Sequence, residues 1–190
     1  MWSPTAGATL EWFKRIFCED FDYGKLNEIA NKVPAGSEGL ITIPHLCGTV
    51  MPKNCPEARG VFYGMEMKHE RGHFVRAIME SVAYTIKEFV DFINLPISEI
   101  RSMGGGAKSE LWCNIKSSVL DKRIVTLKQN ETACLGSAMF AGVGIGVFES
   151  TISASNKIVA VDKTYSADAR EYKDIYKQYK EKEQKIMQTF

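Results

Sequence analysis

The sequence has little net charge, and it lacks the long apolar segments of a membrane protein. Its 24 basic and 23 acidic side chains give a formal net charge of +1, which provides no general attraction to nucleic acid or to an anionic membrane surface. No apolar run reaches the length needed to span a bilayer. The residues before the first predicted helix do not have the pattern of a secretory signal peptide, a charged segment followed by an apolar one. The five cysteines are scattered and odd in number, which predicts free thiols in a reducing compartment. We therefore expect a cytoplasmic protein that binds neither nucleic acid nor membrane.

Several motifs of catalytic and ligand-binding sites are absent as well. The chain has no G-x-x-x-x-G-K-[ST] phosphate loop and no G-x-S-x-G nucleophile elbow, which argues against a P-loop protein and against serine-dependent acyl transfer. The glycines at 142–146 approach a G-x-G-x-x-G fingerprint, but Val147 replaces the last glycine, so we interpret the run as a helix end with close packing. Four candidate zinc ligands fit no standard spacing and predict no metal site; they are His45, Cys47, Cys55 and His69.

The residues that are present have the pattern of a single α/β domain. Hydrophobic residues make up 45% of the 190, enough for one domain with a substantial core. Apolar spacing predicts helices near 5–17, 23–33, 70–93, 111–119 and 132–143, and strands at 40–43, 60–65, 99–103 and 124–127. The long helix near 70–93 has a broad apolar stripe, which predicts burial against a sheet. A charged terminal helix follows, and we expect its Lys and Glu side chains in solvent; its apolar face carries Tyr172, Ile175, Tyr176 and Tyr179.

The most informative segment is Gly104–Ser109, which lies between the predicted strand 99–103 and the next helix. Glycine has no Cβ atom, so such a segment can turn sharply and bring backbone N–H groups close to a ligand. A strand, a glycine turn and a helix in this order are typical of backbone that approaches a nucleotide. A tight connection without a ligand explains the glycines alone equally well. The segment by itself leaves both interpretations open.

Five segments, taken in order, resemble the FGGY carbohydrate kinases. The segment from Gly60 to Glu80 is similar to the second signature of that family, which combines fixed glycines, an apolar position and a terminal acid at defined spacing. Four further segments match in family order: Ala6–Ala8 before Trp12, Ala58–Gly60, Gly104–Ser109 with Trp112, and Glu131–Gly136. The resemblance covers nearly the whole chain except its C-terminal end, and it is to the C-terminal domain of the family only.

The resemblance implies an α/β fold of the actin-like ATPase (ribonuclease H-like) type, with a mixed β-sheet flanked by helices. Residues 1–190 would form one domain, the C-terminal nucleotide-binding domain of a carbohydrate kinase that uses ATP and Mg²⁺. By resemblance, the glycine turn lies against the adenine and ribose, Ser109 and Glu110 open the helix beside them, and Gly7 approaches the phosphates. The nucleotide-binding residues implied are Gly7, Gly104, Gly105, Gly106, Ala107, Ser109 and Glu110.

The resemblance also implies what this chain does not carry. In the family, most of the groups that bind a sugar or polyol, and the general-base aspartate, belong to an N-terminal domain that this sequence does not match. We therefore expect no catalytic residue, no metal ligand and no kinase activity from the chain alone. The sequence departs from xylulose kinases at Gly48–Pro52 and Cys55–Pro56, where an acid and an arginine are missing, so it does not identify the sugar. A non-catalytic nucleotide-binding or assembly module is the alternative function, and a homodimer stays open.

Four side chains have predicted structural roles. We expect Trp12 and Trp112 to anchor the core, Arg59 to form an ion pair, and Glu80 to be a buried acid that is hydrogen-bonded to backbone. We also expect an exposed apolar surface where the N-terminal domain of the family would dock. Its expected members are Trp12 and Phe13 of the first helix and, in the loop 44–59, Leu46, Val50 and Met51.

Overall fold

The computed structural model describes residues 5–50, 54–129, 131–166 and 168–190. Within these ranges the chain forms the helices α1 (Ala6–Phe17), α2 (Tyr23–Asn31), α3 (Arg71–Ile93), α4 (Glu110–Leu120), α5 (Thr132–Gly144), α6 (Thr151–Ile158) and α7 (Arg170–Met187). The strands are β1 (Ile41–Ile43), β2 (Val61–Tyr63), β3 (Glu99–Ser102), β4 (Arg123–Leu127) and β5 (Val161–Tyr165). Single turns of 3₁₀ helix occur at Ser37–Gly39 and Gly105–Ala107. Met51, which was expected on an exposed surface, is outside the described residues.

Helix α3 is the centre of the core. Its buried residues include Val75, Ile78, Met79 and Val82, which recur at three- and four-residue spacing and form one apolar face. The helix packs mainly against α1, α2 and α4, and it also contacts β1. The predicted burial of α3 is confirmed, and the sheet provides part of the cover, since Ile86 and Val90 pack beside Ile100 of β3 and Ile124 of β4. A layer of helices, which was not predicted, covers the larger part. Strand β1 has 3 residues and α3 has 23, so this strand is too short to cover the helix.

A mixed three-stranded sheet lies beside the helical layer. Strands β3 and β4 are parallel, with Glu99 opposite Arg123, and β4 and β5 are antiparallel, with Ile124 opposite Tyr165. Helix α4 packs on β4 and β5. Strands β1 and β2 form a separate antiparallel pair. The predicted α/β class, with a mixed sheet flanked by helices, is confirmed.

The apolar spacing of the sequence does not reveal β5 or α6. All residues of β5 except Tyr165 are exposed, so this strand lacks the alternation that marks a half-buried strand. Helix α6 has 8 residues, of which Ala154 is buried. The segment 124–127 is thus the last strand with a clear apolar pattern, and β5 follows it without one. The predicted helix end at 142–146 is confirmed, because α5 ends at Gly144 and Gly146 has a φ of +76°.

Helix α7 closes the core through a buried polar network. Its Tyr172 is buried and donates a 2.8 Å hydrogen bond to Glu80. Glu80 also accepts bonds from Arg76 Nε at 3.0 Å and from the Gly36 N–H at 2.9 Å. The prediction that Glu80 is a buried acid bonded to backbone is confirmed. A buried carboxylate is stable in this position because several donors surround it.

Two predictions about charged side chains are corrected. The charged face of α7 is exposed at Lys177, but Glu183 is buried and contacts Lys180, so the expectation of a fully solvated face is wrong. Arg59 forms no ion pair in the described part of the chain. Its Nη1 donates to the carbonyl oxygens of Pro56 and Ala58 at 2.9 and 2.8 Å, because the bent loop turns these oxygens toward the guanidinium.

The aromatic side chains of the core behave largely as predicted. Trp112 is buried in the main core, and Trp12 is half-buried and packs against it. Phe13, however, is buried as well. The expectation that Phe13 belongs to an exposed surface is therefore wrong, because the inward face of α1 includes it.

Candidate functional site

The glycine turn after β3 has a defined backbone geometry. Gly104 has a φ of +76° and a ψ of −164°, a conformation that residues with a Cβ atom rarely adopt. The Ala107 N–H donates to the Gly104 carbonyl at 3.1 Å, which closes one turn of 3₁₀ helix. Ser109 then caps α4, because its Oγ accepts a 3.1 Å bond from the Trp112 N–H. The chain thus turns sharply from strand to helix. Both interpretations of the glycines, a nucleotide-binding turn and a tight connection without a ligand, require this geometry.

A cleft of about 680 Å³ opens on one side of the turn. Residues of α1 and α2 form one wall, and the glycine turn and the start of α4 form the other. The apolar residues that line the cleft include Leu10, Leu26, Met79 and Trp112. A cleft of this size, with an apolar lining and a few polar groups, is typical of a site for a small organic ligand.

Glycines leave the backbone bare in both walls of the cleft. A Cβ atom on Gly7 or Gly105 would meet no heavy atom within 4 Å, so both residues face open space. Gly7 lies in the first turn of α1, and the Thr5 side chain makes no capping bond there. N–H groups in the first turn of a helix lack partners within the helix and attract anions. The walls can therefore approach a flat or anionic ligand closely.

Polar side chains that the sequence motifs do not reveal also line the cleft. Tyr23 donates its hydroxyl hydrogen to Glu11, and this hydrogen bond raises the pKa of Tyr23 to about 12. The Asn27 amide oxygen accepts a 2.5 Å bond from the Ser109 hydroxyl, which joins α2 to the start of α4. Helical spacing could have predicted Glu11, because it lies four positions after Gly7 and therefore on the same face of α1. These groups can fix the orientation of a ligand.

The structure brings some of the residues implied by the resemblance into the cleft and leaves others outside it. Those that line the cleft are Gly7, Gly105, Gly106 and Ser109. Gly104 lies outside and shapes the turn, and Ala107 is buried with its N–H bonded inside the turn. Glu110 is exposed and forms an ion pair with Lys163, whose hydrogen bond lowers the pKa of Glu110.

The described residues contain neither a metal-binding cluster nor a membrane-spanning helix. No group of three or more His, Cys, Asp or Glu side chains in these ranges could hold a metal ion. The residues considered as zinc ligands are dispersed: His45 lies beside Glu183, with 3.6 Å between Nε2 and Oε1, whereas His69 lies beside His73. None of the helices in the described ranges combines the length and the apolar character needed to cross a membrane.

Comparison with known proteins identifies the family. The model of the C-terminal domain of the FGGY family of carbohydrate kinases matches residues 4–145. The chain belongs to this family. The matched range contains both walls of the cleft, from α1 through the glycine turn to α4.

Curated relatives of this FGGY chain are longer than the chain itself. The xylulose kinase of Bacillus subtilis is 29% identical over 181 residues, a match that covers 92% of this chain and 36% of the relative. The gluconokinase of the same bacterium is 31% identical over 159 residues, which covers 80% of this chain and 30% of the relative. The chain therefore spans 36% or less of these two relatives.

Solved structures of FGGY kinases share the fold. Ligand-bound xylulose kinase from Lactobacillus acidophilus matches with a TM-score of 0.83 at 22% identity, covering 95% of this chain and 38% of that one. Plasmodium falciparum glycerol kinase with ADP matches with a TM-score of 0.81 at 26% identity, covering 99% of this chain and 38% of that one. These neighbours have the actin-like ATPase fold, so the predicted fold type is confirmed.

Proposed function

We propose that this chain is the nucleotide-binding part of an ATP-dependent carbohydrate kinase, similar to the xylulose kinases, that phosphorylates a hydroxyl group of a sugar or polyol. The observation that carries the proposal is the cleft beside the glycine turn in a chain of the FGGY family. A glycerol kinase of similar fold was solved with ADP, which supports an adenine nucleotide as the occupant. The relatives are named for different substrates, so we propose only the class of substrate, a sugar or polyol, for the kinase that contains this chain.

The residues of the cleft fit an adenine nucleotide. The exposed Ala8 and the ring of Tyr23 offer apolar contacts for the flat base. The edges of Leu10 and Trp112 lie behind them. The Glu11 carboxylate can accept a hydrogen bond from the adenine amino group. The glycine turn lets the adenine and ribose approach the backbone, and the first turn of α1 at Gly7 can receive the phosphates. The exposed Lys108 adds positive charge. ATP supplies the phosphoryl group that is transferred. The contribution of this chain is to bind and orient the donor.

We propose that Mg²⁺ enters with the phosphates of ATP. This ion prefers oxygen ligands, and at phosphate sites it usually keeps several waters and binds the substrate phosphates directly. The described residues contain no cluster of three potential ligands. They therefore fit an ion that the nucleotide holds, with few or no direct ligands from the protein.

The chain alone is proposed to have no kinase activity. It spans 36% of the xylulose kinase relative, so most of that kinase lies outside the match. By resemblance, the general base belongs to the unmatched N-terminal domain. The loss of general acid–base catalysis alone lowers a rate by about 10²–10⁴.

Titration with ATP, followed by NMR, tests the nucleotide site. We expect weak binding, with a Kd on the order of 1 mM, and shifts at Gly7 and at residues 105–109. The Gly7→Leu variant should fold, since no heavy atom would lie near its Cβ, but its side chain should fill the cleft and abolish binding. The matched control is Gly136→Leu on α5, which also has open space around its Cβ and lies outside the cleft. Equal binding by both variants would contradict the proposed site.

An enzyme assay tests the proposed inactivity of the isolated chain. ADP formation is measured with a panel of pentuloses, hexoses and glycerol. We expect no sugar-dependent turnover from the chain alone, and turnover in the protein that also contains the N-terminal domain. Sugar-dependent turnover above about 1 s⁻¹, within the ordinary range of enzymes, would contradict the proposal for the chain alone.

An exposed apolar surface on α5, α6 and the loop between them supports contact with another part of the kinase. Its large apolar members are Phe140, Ile145, Val147 and Ile152. Helices α5 and α6 are in contact, and several large exposed apolar side chains on neighbouring elements are typical of interaction sites. We propose that this surface contacts the remainder of the kinase, and that the isolated chain forms a homodimer through it.

Sedimentation velocity tests the contact. We expect the wild-type chain to associate with rising concentration and the double variant F140S/I152S to remain monomeric. The full-length kinase should remain a single species in which this surface is protected from hydrogen exchange. A full-length protein that associates but transfers no phosphoryl group would favour the alternative, an assembly module. A wild-type chain that stays monomeric at high concentration would contradict the homodimer.

Cysteine chemistry supports a cytoplasmic location. All five cysteines have free thiols, and Cys47 and Cys134 are exposed. Exposed thiols persist where the cell keeps them reduced. We therefore propose that the protein works in the cytoplasm.

A further inference from the structure

Lys116 is a buried lysine that lies directly behind the glycine turn. It is 8% exposed, and its Nζ donates a 3.1 Å hydrogen bond to Ser102 Oγ at the end of β3. The same Nζ donates to the Gly106 carbonyl oxygen at 3.5 Å and lies 5.1 Å from the centre of the Trp112 ring. In the described ranges no carboxylate forms an ion pair with it. The charge is therefore stabilised by a hydroxyl, a carbonyl and an aromatic face.

Burial of this amine is costly and affects its charge. Removal from water lowers the pKa of Lys116, and the nearby Cys113 thiol partly opposes this shift. Burial in turn raises the pKa of Cys113. Lys116 lines a second cavity, behind the turn, in which Arg101 is the other charged residue and most of the remaining lining is apolar, as at Val82 and Ile86 of α3. A buried amine without an acidic partner destabilises a fold unless it is hydrogen-bonded, so its contacts with the turn are important.

The glycine turn rests directly on this lysine and on Trp112. A Cβ atom on Gly106 would lie 3.3 Å from two ring carbons of Trp112 and 3.4 Å from Lys116 Nζ. A second cavity of about 400 Å³ lies behind the turn, and Gly105 and Gly106 line both this cavity and the candidate cleft. The turn is thus a thin wall between two spaces. Its backbone conformation depends on the few groups that hold it.

The peptide unit between Gly106 and Ala107 is held at both ends. Its N–H donates to the Gly104 carbonyl at 3.1 Å, and its carbonyl accepts from Lys116. Because a peptide unit is planar and rotates as one body, fixing both ends fixes its orientation. A run of glycines has more conformational freedom than any other sequence, so this restraint matters most here.

We propose that Lys116 is a positioning residue of the nucleotide site, which holds the Gly106 carbonyl from behind and so presents the backbone of Gly105 and Gly106 to the cleft. The effect of Lys116 on ATP binding rests on the function proposed above. The effect of Lys116 on the conformation of the turn is independent of that function and can be measured without a nucleotide. Preorganised binding groups raise affinity because less freedom is lost when the ligand binds.

A titration of the ATP-free protein tests the link between Lys116 and the turn. NMR follows the ¹³Cε shift of Lys116 and the amide shifts of residues 105–108 as the pH rises. We expect the Ala107 amide to titrate with the same midpoint as Lys116, and this transition to be absent in Lys116→Met. The titration is repeated with Cys113→Ala, because that thiol also contacts the turn and ionises at high pH. A turn whose amides do not follow Lys116 would overturn the proposal whether or not ATP binds.

ATP affinity tests the consequence. We expect Lys116→Met, which keeps the length and apolar stem of the side chain, to bind ATP about five- to tenfold more weakly, the effect of losing one ordinary hydrogen bond. Lys116→Gln keeps a donor and should recover part of the affinity, whereas the exposed Lys177→Met control should bind as wild type does. Binding by a folded Lys116→Met within twofold of wild type would overturn the proposal.

If Lys116→Met does not fold, Ser102→Ala tests the same restraint, since it removes the hydroxyl that anchors the amine. Ser102→Ala should weaken ATP binding about two- to threefold. This is less than the weakening expected for Lys116→Met, because the contact between Lys116 and the Gly106 carbonyl remains. Unchanged affinity in Ser102→Ala, with an unchanged Ala107 titration, would overturn the proposal. Failure of the wild-type chain to bind ATP would instead overturn the proposed function, and the ATP-free titration would still decide the role of Lys116.

Discussion

The indole Nε1 of Trp112 donates a 2.9 Å hydrogen bond to the Met79 carbonyl, which joins α4 to the middle of α3. Both residues line the candidate cleft, and both are buried in the main core. The Trp112 ring also lies 3.3 Å from the position that a Cβ atom on Gly106 would occupy. The core and the ligand site therefore share residues, so changes in this region affect both stability and binding.

Trp112→Phe removes the indole N–H and part of a packed ring. We expect the free energy of unfolding to fall by about 2 kcal/mol, because a hydrogen bond is lost and a small cavity forms. Urea denaturation measures this change. Trp12→Phe is the control, since Trp12 is only half-buried. A loss in Trp112→Phe no greater than in the control would show that the bond to Met79 contributes little.

Gly106→Val tests whether the glycine turn serves a ligand or only a connection. The φ of Gly106 is not positive, so no backbone strain is expected there. The added Cβ would press on Trp112 and Lys116 and push the turn toward the cleft. We expect ATP affinity to fall more than tenfold, while the melting temperature falls by only about 2–4 °C, the shift that a loss near 1 kcal/mol produces in a domain of this size.

The thermal shift induced by ATP separates the two interpretations of Gly106. Wild type and variant are melted with and without the nucleotide, and the two shifts are compared. We expect a shift in the wild type and none in Gly106→Val. A strongly destabilised variant that keeps the full ATP-induced shift would support a purely structural turn.

Glu88 should make stability depend on pH. It lies in a buried cluster with Lys180 and Glu183 between α3 and α7. Burial, together with the charge of Glu183, raises the pKa of Glu88 to about 7 from 4.5. Between these values the folded state holds a proton that the unfolded state has released, so the free energy of unfolding decreases as the pH rises through this window. Burial would raise the pKa of Glu183 too, but hydrogen bonds led by that with His45 lower it to about 2. Its stabilising effect is therefore lost only as the pH falls below about 5, outside this window.

Denaturation at several pH values measures this effect. We expect the wild type to lose on the order of 2 kcal/mol between pH 5 and 7.5, and Glu88→Gln to lose much less over the same window. Glu181→Gln, at an exposed position of α7, is the control and should behave as wild type does. Parallel pH profiles for wild type and Glu88→Gln would contradict the shifted pKa.

Gly72→Ala should be destabilising although alanine favours helices. A Cβ atom at Gly72 would lie 2.7 Å from the Ile29 carbonyl oxygen, so α2 and α3 would have to move apart. We expect a loss of about 1–3 kcal/mol, the usual range for overpacking. Gly7→Ala is the matched control, because its Cβ meets open space and should stabilise α1 by about 0.5–1 kcal/mol. Equal stability of the two variants in urea denaturation would show that α2 and α3 adjust freely.

Local features could be predicted from the sequence because they depend on neighbouring residues. The positive φ of Gly104, the capping of α4 by Ser109 and the end of α5 at Gly144 each involve a few adjacent positions. The spacing of motifs along the chain likewise identified the family, and with it the actin-like ATPase fold. The apolar spacing of α3 predicted its burial, since one face of a helix repeats every three to four residues.

The tertiary structure alone decided which distant residues meet. Ser109 bonds to Asn27, 82 positions away, and Tyr172 bonds to Glu80, 92 positions away. No local pattern records such contacts, because they depend on how helices pack after they form. For the same reason the exposed β5 has no sequence signal, and nothing local marks Lys116 as the residue behind the glycine turn. The sequence by itself determined the family and the helices and strands with an apolar face, whereas packing decided the lining of the cleft and the groups that hold it.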